Sequence, residues 1–362
     1  MSALYVHIPF CNHICTYCDF CKVFYKEEWV HQYLDALSFE IQDKRLTGNY
    51  ETIYIGGGTP SSLSTSQLQR LFEILKPFSY NVKEYSVEVN PESMDADKLD
   101  LMIDYGINRL SIGVQTFQDK LLKGINRYHS SSQVIQLIQL AKSKGIDDIS
   151  IDLIYGLPNQ TKQDIIDDIN QMDSLQISHV SIYSLILEEH TVLKNQNYHP
   201  LSDEEDAIIY HHINQLLKEK GFIHYEVSNY YKRKPSLHNL GYWHYEDYDG
   251  VGLGAHSLKN HHRFENTNSL TDYFDFQYLL NDIILLKKDE LFETLMMGLR
   301  LCEGISLSRI NEMFQIDFLE KYKFVIEKYK AMKFIEVKNN YLKTTSQGMD
   351  YLNTILIDFM EE

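Results

Sequence analysis

The sequence predicts an α/β fold: a partial (β/α)6 barrel followed by a C-terminal winged-helix-like α+β module. Three observations carry this expectation. Strand-like and helix-like segments alternate six times between Leu4 and Ile186, the rhythm of a parallel sheet. The strands are short and apolar, with isolated polar residues at their carboxyl ends. Beyond Asp289 the order changes to successive helices, a hairpin and a terminal helix.

The elements follow in chain order. Leu4 to Ile8 reads as a strand, and Glu27 to Asp43 places Val30, Tyr33, Leu34, Leu37 and Ile41 on one helical face. Thr52 to Ile55 is a second strand, ended by Gly56-Gly57-Gly58. Ser64 is placed to cap a helix whose apolar face is Leu68, Leu71, Phe72 and Leu75, and Tyr85 to Val89 is the third strand. A helix near Asp95 to Tyr105 leads to strand Arg109 to Val114. A helix near Ser131 to Lys144 leads to strand Ile149 to Tyr155, and a helix from Thr161 leads to strand Val180 to Ile186. A closed barrel takes eight such units, so six predict a partial barrel, with a doubly wound sheet as the alternative.

After Leu187 the pattern weakens. Asp203-Glu204-Glu205-Asp206 opens a helix to Lys220, its early acids complementing the helix dipole. Phe222 to Tyr248 is rich in Tyr and His, and Gly250 to Gly254 reads as a loop. The last segment holds helices around Phe292 to Arg300, Ser306 to Phe314 and Phe318 to Met332, then a hairpin Phe334 to Thr344 turning at Asn339-Asn340. The chain therefore divides at 1–200, 201–288 and 289–362. A winged helix invites a DNA-binding reading, but from Lys287 onward 11 basic residues face 13 acidic ones, which favours a capping or interaction module.

Composition narrows the function. With 34 basic and 51 acidic residues the net charge is -17, which repels polyanions and excludes general nucleic-acid binding. Four of the five cysteines lie between residues 11 and 21, a distribution that argues against a disulfide framework and for a reducing compartment such as the cytoplasm. The opening Met-Ser-Ala-Leu-Tyr-Val-His does not read as a signal peptide, and no run of 18 apolar residues occurs. Peripheral contact with a membrane stays open.

The chemistry starts at Cys11, Cys15 and Cys18. Their Cys-x3-Cys-x2-Cys spacing suits three irons of a [4Fe-4S] cubane, leaving the fourth iron open to an exchangeable ligand. A zinc knuckle is the alternative, but zinc sites use a distant second pair, and the next cysteine outside this cluster is Cys302. Other polar residues collect at the same strand ends: the triple glycine after strand two, Glu88 in strand three, Gln115 after strand four and Asp152 in strand five. In strands buried on both faces each needs a partner or a ligand.

Taken together, the cysteine loop, Gly-Gly-Gly-Thr-Pro-Ser at 56–61, Glu-Val-Asn-Pro at 88–91 and Gly-Leu-Pro at 156–158 resemble the radical S-adenosylmethionine superfamily. Within it the chain resembles the oxygen-independent coproporphyrinogen III oxidases and their relatives, the HemW-type haem chaperones. The oxidases carry an N-terminal extension and a fourth cysteine two positions after the third. Here the first cysteine is residue 11, and Cys21 lies three positions after Cys18. His238-Asn239-Leu240-Gly241-Tyr242-Trp243 matches the His-Asn-x-x-Tyr-Trp motif of the chaperones.

The resemblance implies a radical-SAM partial barrel that binds a [4Fe-4S] cluster, S-adenosylmethionine and haem. Cys11, Cys15 and Cys18 would hold the cluster, with Tyr17 packed between two of them. Gly57, Gly58 and Thr59 would approach the methionine part, Glu88 the ammonium, Arg127 the carboxylate and Asp152 a ribose hydroxyl. Gln115 would complete the polar wall, and Tyr5 and Ser184 are further contacts. His238 is the candidate haem ligand, with His256, His261, His262 and Cys21 competing, while Cys302 reads as a buried helix residue. The implied partners are haem, a haem-acceptor protein such as a membrane-associated respiratory protein, and an electron donor. Two further readings remain open at this point: an oxidase decarboxylating coproporphyrinogen III, and a radical enzyme on an unrelated substrate.

Overall fold

The structure, a computed structural model, describes residues 2–189, 191–196 and 198–361. Six strands run parallel: β1 (Ala3–Ile8), β2 (Thr52–Gly57), β3 (Glu84–Val89), β4 (Arg109–Gln115), β5 (Asp148–Tyr155) and β6 (His179–Ser184). They pair in sequence order with no reversal, which is the ordering of a (β/α) barrel rather than of a doubly wound sheet with its switch point. The longer intervening helices include α1 (Glu27–Asp43), α2 (Thr65–Leu75), α3 (Ala96–Asp104), α4 (Ser131–Ser143) and α5 (Lys162–Ser174). Their starts are set by local chemistry: Ser64 with Gln67, Ser130 with Gln133 and Thr161 with Asp164 form reciprocal capping boxes.

Beyond the barrel, α6 (Asp203–Glu219) leads to β7 (Ile223–Glu226) and β8 (Asn229–Tyr231), which extend the sheet antiparallel past β6. Next comes α7 (Leu237–Trp243). The far side of β1 takes β9 (Tyr248–Val251) in parallel, then β10 (His256–Lys259), β11 (His262–Asn266) and β12 (Leu279–Ile284) antiparallel. The sheet therefore has 12 strands in the order β12-β11-β10-β9-β1-β2-β3-β4-β5-β6-β8-β7.

Two expectations change here. The stretch read as a loop at Gly250 to Gly254 begins inside β9, where Gly250 is required because a Cβ there would lie 1.9 Å from the His256 carbonyl oxygen. The helix expected from Phe318 to Met332 breaks at Tyr322 into Phe318–Lys321 and Lys323–Ala331.

One large core runs from Leu4 to Tyr273, and a separate core from Leu291 to Phe359 fills the C-terminal module. In that module Ile305–Ser306 joins the hairpin Ile335–Lys338 and Tyr341–Thr344. Asn339 and Asn340 both adopt positive φ in its two-residue turn, as the Asn-Asn pair suggests.

Candidate functional site

The carboxyl ends of β1 to β6 open into a cavity of about 550 Å³, and all the residues singled out for cluster and cofactor line it. Cys11, Cys15, Cys18 and Tyr17 come from the loop after β1. Tyr5 lies in β1, and Gly57, Gly58 and Thr59 follow from the end of β2. Glu88, Gln115, Asp152 and Ser184 come from β3 to β6, and Arg127 from the segment before α4. His238, on α7, lines the opposite end.

The glycine turn is shaped by close approach. Gly57 has φ of +117°, and a Cβ there would sit 2.7 Å from the His7 ring. At Gly58 a Cβ would lie 2.6 Å from the Pro9 carbonyl oxygen and 3.0 Å from Cys11 Sγ. The turn thus lies against the start of the cysteine loop because no side chain intervenes. Thr59 Oγ1 lies 3.4 Å from Cys11 Sγ and accepts from Asn90 Nδ2 at 3.2 Å.

All three cysteines are free thiols. Burial pushes the Cys11 thiol up to about 11, with Thr59 lowering it and Cys18 and Cys15 raising it further. Such a set ionises when a cationic centre occupies it. Among the described residues no three His, Cys, Asp or Glu side chains converge enough to hold a single metal ion.

Two half-buried carboxylates line the same cavity. Glu88 accepts from Tyr54 at 2.8 Å and from the Gly57 amide at 3.0 Å. Burial raises its pKa to about 7, Tyr54 lowers it, and the Asp152 charge raises it again. Asp152 is likewise raised by burial, with Ser181 and Ser111 hydroxyls opposing the shift. Arg127 donates through Nη1 to Asn90 Oδ1 at 2.9 Å, while its buried Nε has no partner. A guanidinium lining the cavity suits a carboxylate. Gln115 is placed by a break in the β4–β5 register after Gly113 and by its own positive φ of 66°. Ser184 donates to Asp206.

His238 is held differently. Its Nδ1 pairs with Thr52 Oγ1 at 2.8 Å and its Nε2 with the Tyr242 hydroxyl at 2.9 Å. The ring stacks on Tyr54 at 5.2 Å, and burial lowers its pKa to about 3, so it stays neutral. Glu84, itself buried, accepts from Ser236 Oγ and from the Leu237 and His238 amides, seating α7 across the amino ends of β2 and β3. Both ring nitrogens of His238 are thus engaged in hydrogen bonds. Replacing His238 with Ala is expected to leave Thr52 and Tyr242 unpartnered over a small void, costing about 2–4 kcal/mol. A clear fall in melting temperature checks this, and an unchanged melting curve contradicts it.

The competing ligands lie elsewhere. His256, His261 and His262 sit on the sheet extension, paired with Glu265, Glu290 and Asp282, and none lines the cavity. The carbonyl of Cys21 pairs with His7 Nε2 at 2.8 Å, and Cys302 lies beyond the helix Lys287–Gly298 rather than inside it. Sequence reasoning missed three contributors: Tyr54, Asn90 and His7, whose Nδ1 pairs with the Tyr5 hydroxyl at 2.9 Å. Tyr54 and His7 are polar residues on inward positions of buried strands, the signal that identified Glu88. Asn90 lies in the quoted Glu-Val-Asn-Pro motif.

Known proteins resemble this chain along its whole length. Residues 5–172 match the model of the Radical SAM superfamily, and residues 285–351 that of the HemN C-terminal domain. The chain is 36% identical to heme chaperone HemW of Lactococcus lactis, covering 99% of this chain and 97% of that one. It is 36% identical to heme chaperone HemW of Bacillus subtilis, with 100% of both covered, and 31% identical to that of Escherichia coli, with 99% and 98% covered. Among solved structures, coproporphyrinogen III oxidase (HemN) from Escherichia coli, described as a radical SAM enzyme, superposes with a TM-score of 0.87. Its identity is 23%, covering 99% of this chain and 89% of that one, a likeness of fold.

Proposed function

The chain belongs to the HemW family of the radical S-adenosylmethionine superfamily, and from that membership we propose that it is a haem chaperone. In this reading it carries a [4Fe-4S] cluster on Cys11, Cys15 and Cys18, binds S-adenosylmethionine beside it, and holds haem for transfer to an acceptor protein. The supporting observation is the cavity lined together by three free thiols, two half-buried carboxylates and the guanidinium of Arg127. When bound, the cluster supplies one electron and the sulfonium a carbon–sulfur bond that such an electron can cleave.

The chain's own residues bind and orient. Glu88 takes the ammonium, Arg127 the carboxylate and Asp152 a ribose hydroxyl, while Gly57, Gly58 and Thr59 let backbone meet the methionine part. Tyr5, Tyr17, Gln115 and Ser184 wall the cavity against water. Residues 1–200 form the cofactor-binding unit, 201–288 close its far end through α7, and 289–362 cap it. The acceptor and the electron donor dock from solution or from a membrane face in the cytoplasm, and nucleic acid is not a partner of a chain with net charge -17. Among the described residues no helix is long and apolar enough to cross a membrane.

Glu88 gives this reading a pH signature. Its carboxyl must ionise to bind an ammonium, and in the free protein it does so near 7. Affinity for S-adenosylmethionine is therefore expected to fall as pH drops below about 7, by up to about tenfold per unit. Isothermal titration across this range checks the slope. Glu88→Gln should flatten it, and equal slopes in both proteins would contradict the assignment.

The likeness of fold to HemN supports a second reading, an oxygen-independent coproporphyrinogen III oxidase. An anaerobic assay of the clustered protein with coproporphyrinogen III, reductant and S-adenosylmethionine separates the two. No porphyrin product is expected, and sustained turnover would replace the chaperone reading with the oxidase.

A further inference from the structure

We infer that the iron of haem is ligated at the mouth of the cavity by His13, whose imidazole is held in place by Tyr128. This inference rests on the haem-chaperone reading and specifies the site within it.

Among the described residues three histidines line the cavity: His13, His179 and His238. The latter two have both ring nitrogens in hydrogen bonds. His179 pairs with Ser150 Oγ at 2.8 Å and the Tyr225 hydroxyl at 3.0 Å, and His238 with Thr52 and Tyr242. An imidazole so engaged binds iron only after giving up a buried hydrogen bond and stranding its partner. His13 carries no such cost. It is exposed, and among the described residues neither of its ring nitrogens has a hydrogen-bond partner.

The ring is nonetheless fixed. It stacks on Tyr128 with centroids 3.7 Å apart and planes 20° apart. The segment that precedes Tyr128 is tied to the cysteine loop: Asn126 Nδ2 donates to the Ile14 carbonyl at 2.8 Å, and the Thr16 amide donates to the Ile125 carbonyl at 3.2 Å. An aromatic ring that orients an imidazole while leaving both nitrogens open gives iron a ready ligand with little ordering cost.

The surroundings suit a flat apolar macrocycle. Phe20 is 65% exposed and Ile186 is 69% exposed, and both line the same cavity as His13. A porphyrin laid against them removes their apolar surface from water. The position also has a chemical consequence, because His13 lies two residues from both Cys11 and Cys15. Haem iron there neighbours the cluster, so the cluster can change the haem's oxidation state by passing a single electron to ferric iron, which is reduced to ferrous as the cluster is oxidised.

The test uses full-length protein with its cluster reconstituted anaerobically, titrated with haemin and followed by absorbance and electron paramagnetic resonance. His13→Ala is expected to weaken haemin binding roughly tenfold or more and to remove the low-spin imidazole-ligated spectrum, while the cluster signal persists. Free imidazole in the buffer should restore the low-spin spectrum in this variant. Tyr128→Ala, which leaves the cysteine loop intact, should weaken binding to a smaller degree. An unchanged haem spectrum in His13→Ala, with wild-type protein binding haemin, would overturn the assignment and leave the chaperone reading standing. Absence of haemin binding by wild-type clustered protein would instead overturn the reading on which it rests.

Discussion

Replacing Cys15 or Cys18 with Ala is expected to abolish the reconstituted [4Fe-4S] absorbance and paramagnetic signal while leaving the fold intact. Both residues are only partly buried, so neither substitution opens the core, and thermal unfolding of the metal-free protein should barely move. Cys11 is different. It is buried, it belongs to the short strand Phe10–Cys11 paired with Val23–Phe24, and its thiol contacts Thr59. Cys11→Ala should therefore lose the cluster and some stability together. Iron and sulfide analysis after reconstitution checks all three variants, and a full cluster complement in any one would remove that cysteine from the ligand set.

Arg127→Ala carries the next largest effect. The guanidinium is anchored to Asn90 and lines the cavity, so a carboxylate there gains a charge-assisted bond without reorganising the protein. Truncation removes that bond and leaves Asn90 Oδ1 without its donor. A loss of about 2–4 kcal/mol in S-adenosylmethionine binding follows, or roughly 30- to 1,000-fold in affinity. Equilibrium dialysis of the clustered variant measures it. Arg127→Lys should recover part of the affinity through charge without the planar geometry. Wild-type affinity in the alanine variant would exclude Arg127 from the cofactor site.

Much of the cofactor cavity was legible in the sequence because of a single physical rule. Parallel strands covered on both faces are apolar, so Glu88 and Asp152 stand out as residues whose burial needs a reason, and strand carboxyl ends say where they meet. Gly57 and Gly58 were legible for a related reason: glycines at a strand end mark a close approach, and His7 and Pro9 are what they approach.

The sheet extension was not legible. β9 to β11 are short, mixed in polarity and broken by Gly and Asn, and β12 carries Leu and Ile on an exposed edge where no alternation is imposed by burial. The state of His238 was hidden for another reason. Its motif reads as a ligand, and its hydrogen-bond partner Thr52 is 186 positions away and joined to it only by folding. The same limit hid His13, whose significance lies in the absence, among the described residues, of partners at its ring nitrogens and in the stacking of Tyr128.

The most direct test of the account is an equilibrium titration of haemin into the fully clustered protein, followed by mixing the loaded protein with a haem-free acceptor such as apomyoglobin. The account predicts saturable binding of a single haem per chain and movement of the Soret band to that of the loaded acceptor. A protein with an intact cluster signal that shows no saturable haemin binding would contradict it.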